Sequence, residues 1–160
     1  MNFEKKIKSP TDIQIWINDI VRPIVFTNGV FDLLHRGHAT YLAQAREHGA
    51  SLIVALNNDD STRRLGKDKG CPMNTLEDRM ALVAALESVD AVTWFSDDTP
   101  AALIEMIQPD VLVKGGDWPI EQIVGSQETL KRGGRVLSIP VIYPFSSSIW
   151  RKNLLPKIYC

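Results

Sequence analysis

Four short runs rich in apolar and β-branched residues recur along the chain, with helical stretches between them: SLIVALN (51–57), DAVTWF (90–95), DVLVK (110–114) and GRVLSIP (134–140). PIVFTNG (23–29) precedes them as a fifth. Each run is continuously apolar rather than alternating, so each must be covered on both faces. Parallel sheets meet that demand, because their crossover helices lie above and below the strands. With right-handed crossovers the expectation is an α/β fold, a Rossmann-like doubly wound sheet of five parallel strands with helices on both faces. Its ligand crevice should lie at the carboxyl ends of the strands.

The intervening stretches carry helix signals. Ser9-Pro10-Thr11-Asp12 offers a capping serine, a proline at the first helical position and an acid in the first turn. Ile13, Trp16, Ile17 and Ile20 follow as one apolar stripe, and Arg22-Pro23 ends it. A second helix is expected from Gly37 to His48, with Tyr41, Leu42 and Ala45 on one face and Gly49 as its stop. TLEDRMALVAALESV (75–89) reads as a helix capped by Thr75, and another opens at Asp98-Thr99-Pro100 and ends near Ile107. DDSTRRLGKDKGCPMN (59–74) starts as a helical turn, Ser61 to Leu65, then becomes a charged, glycine-rich loop. A solvated connection and a lid both fit it. The expected organisation is one domain over 1–160, with an N-terminal helical extension in 1–22 and a C-terminal helix within 141–160.

Composition narrows the partners. The formal net charge of −1 gives no electrostatic reason to expect nucleic acid or a membrane surface. No run approaches the roughly 18 apolar residues of a membrane span, and the N-terminus lacks a signal-peptide core. Cys71 and Cys160 have no CxxC partner, so a cytoplasmic location is expected. Oligomeric state is not legible, although the stripe on the first helix and Leu154-Leu155 are as available to a second copy as to the core.

The first strand leads into Gly29-Val30-Phe31-Asp32-Leu33-Leu34-His35-Arg36-Gly37-His38. This is neither a Walker loop nor GxGxxG: the residue five before Gly66 is Ser61, and Asp68 stands where the Walker loop needs a hydroxyl. The segment joins a strand's carboxyl end to a helix N-terminus, where free N–H groups and the positive dipole end attract phosphate. Gly29 and Gly37 allow close backbone approach, and His35 and His38, three apart, project to one side of the helix start. Each can donate to a phosphoryl oxygen and, if protonated, add charge. Zinc would need further ligands, and His48 falls about three helical turns beyond His38. Packing and capping by the two histidines is the competing reading, and the strand–glycine–helix setting favours phosphate.

GVFDLLHRGHATYL resembles the GxFDxxHxGH signature of the HxGH nucleotidyltransferase superfamily. Over roughly residues 23–149 the chain is similar to the adenylyltransferases of ADP-heptose biosynthesis. The resemblance implies transfer of AMP from ATP to D-glycero-β-D-manno-heptose 1-phosphate, releasing pyrophosphate, with Mg²⁺ accompanying ATP and a separate kinase supplying the sugar phosphate. It implies that His35 and His38 act on the triphosphate, with Thr27, Asn28, Gly29, Phe31 and Gly37 lining the nucleotide side. Lys114, in VKGGDW, would aim a charge at phosphate, and Gly115-Gly116 would let the backbone pass the nucleotide. Asp32, Asn57, Asp59 and Asp117 are the candidates for the acceptor sugar phosphate, although Asp32 serves equally as a loop anchor and Asp59 as a turn and helix cap. Ser146, Ser147 and Ser148 match the superfamily's second signature and would meet the departing pyrophosphate, although Trp150 replaces its isoleucine. Lys67 is the basic candidate in the charged loop, where Leu65-Gly66-Lys67 inverts the family's Leu-Lys-Gly; Arg79 is a salt-bridge partner as readily as a ligand. Members of the superfamily are often dimers or larger. The rivals are a cytidylyltransferase acting on glycerol 3-phosphate or a related phospho-alcohol, and a nucleotide-binding protein without turnover. Glu87-Ser88-Val89-Asp90, where that cytidylyltransferase carries Arg-Tyr-Val-Asp, counts against the first, and the intact histidine pair against the second.

Overall fold

A computed structural model of the chain describes residues 2–66 and 72–143. Strands β1 (Ile24–Gly29), β2 (Ser51–Asn57), β3 (Ala91–Phe95), β4 (Val111–Gly115) and β5 (Arg135–Ile139) form one sheet in the order β3-β2-β1-β4-β5. Every neighbouring pair is parallel. Helices α1 (Pro10–Trp16), α2 (Arg36–Arg46), α3 (Asp59–Arg64), α4 (Leu76–Ala84), α5 (Ala101–Ile107) and α6 (Ser126–Lys131) fill the connections.

Side-chain alternation along the strands divides the core in two. Val25, Leu52, Val54, Leu56, Val92, Val111 and Val113 pack against Tyr41, Leu42 and Ala45 of α2 and Met80, Val83 and Ala84 of α4. Ile24, Phe26, Ile53, Ala55 and Leu112 pack against Ile13 of α1 and Leu103, Ile104 and Ile107 of α5. The continuous apolar runs thus have the physical cause expected of them, burial on both sides. Ser9 caps α1 by accepting from the Asp12 N–H at 3.0 Å, and Trp16, Ile17 and Ile20 lie half-buried on the second cluster.

One ionic device recurs at the amino edge of the sheet. The Asp110 carboxylate accepts from the Ile24 N–H at 2.6 Å and pairs with Arg22 at 3.0 Å. Asp90 likewise accepts from the Leu52 N–H at 2.7 Å and pairs with Arg46 at 2.8 Å. Each aspartate, lying just before its own strand, satisfies the first N–H groups of the neighbouring strand, which would otherwise lack partners.

Several boundaries differ from expectation. α2 stops at Arg46, and Gly49 is no left-handed cap: a Cβ there would lie 2.5 Å from the Pro23 carbonyl oxygen, so close chain crossing requires the glycine. α4 ends at Ala84 rather than near Val89. α3 begins earlier than Ser61 because Asn58 caps it, accepting from the Ser61 N–H at 2.8 Å. α6 has no apolar periodicity to betray it, since its buried residues are Ser126 and Thr129. A 3-10 turn at Phe3–Lys6 leads to Ile7, which bridges Val92 in parallel and covers the outer edge of β3.

Chain order decides where a ligand can sit. From β1 the sheet extends one way to β2 and the other way to β4, so the connections diverge, and the ligand crevice of such a sheet is expected at the carboxyl ends of β1 and β4.

Candidate active site

The loop from β1 to α2 enters this crevice. His35 is the N-cap of α2, and its Nδ1 accepts from the Gly37 N–H at 3.1 Å. That bond assigns the ring proton to Nε2. The His38 ring stacks on His35 with centroids 3.9 Å apart, and Phe31 meets His38 edge-on at 5.2 Å. Phe31 itself is left-handed, with φ of 49°. The two glycines make room for these rings: a Cβ on Gly29 would touch the Phe31 ring at 3.0 Å, and one on Gly37 would lie 2.9 Å from His35. Sequence reasoning reserved that space for a ligand; neighbouring side chains occupy it.

Burial lowers the pKa of His35. It lowers that of His38 further, to about 4, with the adjacent His35 adding to the effect and the Leu33 carbonyl opposing it. Burial thus favours the neutral form of both rings, in which each is a hydrogen-bond donor rather than a cation. His38 Nδ1 is enclosed, with no hydrogen-bond partner among the described residues.

The β4 side supplies the positive charge. Lys114 Nζ donates to the Asn28 side-chain oxygen at 3.3 Å and to the Asn28 carbonyl at 3.4 Å, which ties the ends of β1 and β4 together. Thr27 is fully buried, and its hydroxyl shares a 2.6 Å hydrogen bond with the Tyr41 hydroxyl. This places Thr27 beneath the crevice rather than in it. Tyr41 also packs its ring where a Cβ on Gly115 would lie, at 3.2 Å. Gly116, with φ of 109°, turns the chain away, and Ser138 holds that turn by donating to the Gly116 carbonyl and accepting from the Trp118 N–H. Asp117 lies exposed beyond it.

The β2 side is organised around Arg79, which is 0% exposed. Its guanidinium donates to the carbonyls of Val30 (2.7 Å), Asn57 (2.9 Å) and Asn74 (3.2 Å), and pairs with Asp59 at 2.6 Å. Full burial excludes Arg79 as a ligand-contacting group. The Asn57 side chain donates to Ser61 at 2.9 Å. Asp32, 3% exposed, accepts from the N–H groups of Met73 and Asn74 at 2.9–3.0 Å, while the Asn74 side chain donates to the Asp32 carbonyl at 2.6 Å. The Asp32 carboxylate thus anchors the chain where it returns toward α4. Arg63 pairs with Asp60 and Arg64 with Asp98, so both arginines are engaged within the protein. Sequence reasoning left Arg79 open between salt-bridge partner and ligand; the Asp59 pair matches the first, while its bonds to three carbonyls and the polar link through Tyr41 were missed. The signal for Arg79 was available, since it shares the buried face of α4 with Met80 and Val83.

Lys67 and Ser146–Ser148 lie outside the described residues, as do Cys71, Cys160 and the expected C-terminal helix beyond 143. Near that point Tyr143 lies under the Arg36 guanidinium, 4.0 Å from its ring centroid, and its carbonyl would touch a Cβ on Gly37 at 3.3 Å. The chain after β5 thus crosses the start of α2. A separate groove of about 410 Å³ lies at the amino edge, lined by Arg22, Arg132 and Arg135 among others. These arginines donate to Asp110, to the carbonyls of Gln108 and His48 and to Thr129. They complete chain ends and do not point to chemistry.

Comparison with known proteins places this geometry among relatives. Residues 26–153 match the model of the cytidylyltransferase-like family. The chain is 48% identical over 148 residues to the D-beta-D-heptose 1-phosphate adenylyltransferase of Bordetella bronchiseptica, covering 91% of each chain. It is 52% identical over 126 residues to the bifunctional protein HldE of Coxiella burnetii, where the match spans 78% of this chain and 26% of that one. The chain therefore spans about a quarter of that bifunctional relative. Among solved structures it resembles a lipopolysaccharide core biosynthesis protein from Thermoplasma volcanium, with TM-score 0.61 and 27% identity over 74% of this chain and 94% of that one. A pantoate-beta-alanine ligase from Francisella tularensis shares the fold, with TM-score 0.60 and 15% identity over 96% and 77% of the two chains.

Proposed function

This chain belongs to the cytidylyltransferase-like family, and from that premise we propose that it is an adenylyltransferase acting on ATP and D-glycero-β-D-manno-heptose 1-phosphate. The products are ADP-heptose and pyrophosphate, for the heptose of lipopolysaccharide or another surface polysaccharide. The observation that carries the chemistry is the stacked His35–His38 pair at the start of α2, in the same crevice as the Lys114–Asn28 link. The choice of acceptor rests on the likeness to the Bordetella enzyme.

In the proposed reaction an oxygen of the sugar phosphate attacks the α-phosphorus of ATP in line. The bond from that phosphorus to the bridging oxygen breaks, and pyrophosphate departs with the electron pair. The acceptor is already an anion at neutral pH, so no general base is required. Catalysis is positioning and charge stabilisation. His35, donating from Nε2, and His38 hydrogen-bond phosphoryl oxygens as charge develops on them, the positive end of α2 adds to the same field, and Lys114 supplies the full charge. Asn28, Gly29, Phe31, Gly37, Gly115 and Gly116 are assigned to the nucleotide side, and Asn57, Asp59 and Asp117 to the acceptor. Ser146–Ser148 and Lys67, which lie outside the described residues, are assigned to the pyrophosphate.

Mg²⁺ fits this arrangement as a companion of ATP. It would be held mainly by phosphate oxygens and water rather than by a protein cage. Bound there, it would neutralise charge on the leaving group. A cytoplasmic location accords with these nucleotide substrates, and no described helix is long and apolar enough to cross a membrane.

The test is pyrophosphate release from ATP or CTP, with heptose 1-phosphate or glycerol 3-phosphate as acceptor. Release is expected with ATP and heptose 1-phosphate, and His38→Ala should lower kcat by about 10²–10³ with a smaller change in KM. Turnover confined to CTP and glycerol 3-phosphate would make the chain a cytidylyltransferase, and nucleotide binding with no release would make it a non-catalytic binder.

A further inference from the structure

The loop that presents the histidines does not hold its own shape. Phe31 carries a Cβ yet is left-handed, a conformation that persists only when its surroundings impose it. The bonds flanking it come from outside the loop. On one side Arg79 donates to the Val30 carbonyl at 2.7 Å. On the other, Asn74 donates from its side chain to the Asp32 carbonyl at 2.6 Å, and the Asp32 carboxylate accepts from the backbone of Met73 and Asn74. Both grips originate at the start of α4. The same guanidinium holds the Asn57 carbonyl at the end of β2 and the Asp59 carboxylate at the start of α3. Beyond the gripped peptides, the Phe31 ring lies edge-on to His38.

We propose that Arg79 and Asn74 are positioning residues for the nucleotidyl transfer: by clamping residues 30–32 they seat Phe31 against His38 and set the orientation of the histidine pair. Neither needs to touch substrate, and Arg79, fully buried, cannot. The clamp also makes the acceptor side and the histidine side one rigid unit, because one guanidinium spans the ends of β1 and β2. This inference rests on the reading that His35 and His38 carry the transfer.

The experiment compares Arg79→Lys and Asn74→Ala with the wild type by two readouts. One is kcat and KM for ATP and heptose 1-phosphate, per folded molecule. The other is the NMR titration of the His38 ring, whose neighbours are His35, Phe31 and the Leu33 carbonyl. Lysine cannot reproduce the guanidinium's bonds to three carbonyls and a carboxylate. Arg79→Lys should therefore lower kcat by roughly 10- to 100-fold with a smaller change in KM. It should also move the His38 titration upward from about 4 toward the ordinary histidine range, as the loosened loop admits water. Asn74→Ala should shift both readouts the same way by less. A loss of thermal stability with the titration and the per-molecule kcat unchanged overturns the proposal. If Arg79→Lys does not fold, Asn74→Ala decides by the same two readouts. Should the wild type itself lack transferase activity, the proposed function fails while the titration still tests the clamp.

Discussion

Two imidazoles stacked at 3.9 Å repel each other when both are protonated, and burial penalises the charge on each. Their neutrality has a measurable consequence for stability. His38 titrates at about 4 in the folded chain against 6.5 when exposed, so the unfolded state binds the extra proton between those values. Stability is fully present above about pH 6.5 and falls as pH drops toward 4, by up to about 3 kcal/mol from this group. Urea midpoints measured from pH 7 to 4.5 should show that slope in the wild type and a weaker one in His38→Gln. Both histidines were legible in the sequence, because a strand end, two glycines and HxGH spacing are local features. The neutral state was not, since desolvation depends on how the loop folds the Phe31 and His35 rings and the Leu33 carbonyl around His38, which spacing does not show.

At the level of elements, agreement tracks the depth of burial. β2 spans Ser51–Asn57, the run read from sequence, because a central strand buried on both faces leaves no ambiguity about where it starts and stops. Helix ends, set by single bonds to other segments, were read less well, and α6 escaped because its buried face is Ser126 and Thr129. Gly49 shows the difference most clearly. As a local signal it resembles a helix stop; in the fold it is where the chain passes the Pro23 carbonyl. Gly49→Ala should therefore destabilise the protein by about 1–3 kcal/mol through displacement of the β1 entry, read by denaturant titration. A left-handed cap would have made a similar prediction, but one relieved by Asn. Here Gly49→Asn should do no better than Ala, because the added Cβ meets the same oxygen.

For the molecule as a whole, sheet order brings distant motifs to one edge. β1 and β4 are neighbours although β2 and β3 intervene in sequence, and so the Asn28 end of one strand meets the Lys114 end of the other. The outer edge of β3 is shielded by the N-terminal residues, where Ile7 bridges Val92 and the Lys8 N–H donates to the Val92 carbonyl at 2.8 Å. Removing residues 1–8 should leave the fold and transferase activity in place while exposing a strand edge. Light scattering should then report concentration-dependent association that the full chain does not show.

The sequence by itself determined the class of fold, a parallel sheet covered on both faces, since five buried runs alternating with helices admit little else. It also singled out the β1–α2 turn as the candidate phosphate site, because strand, glycine, histidine and helix start are contiguous. Only the tertiary structure decided how that turn is held. The left-handed Phe31 and the rings of Phe31 and His35 packed over Gly29 and Gly37 are local, but the Arg79 clamp that holds them joins residues far apart in the chain. Hydrogen-bond partners so distant leave no periodicity or spacing to read. An arginine on a buried helix face announces that it must be satisfied, but which carbonyls satisfy it is settled only when the strands have taken their places.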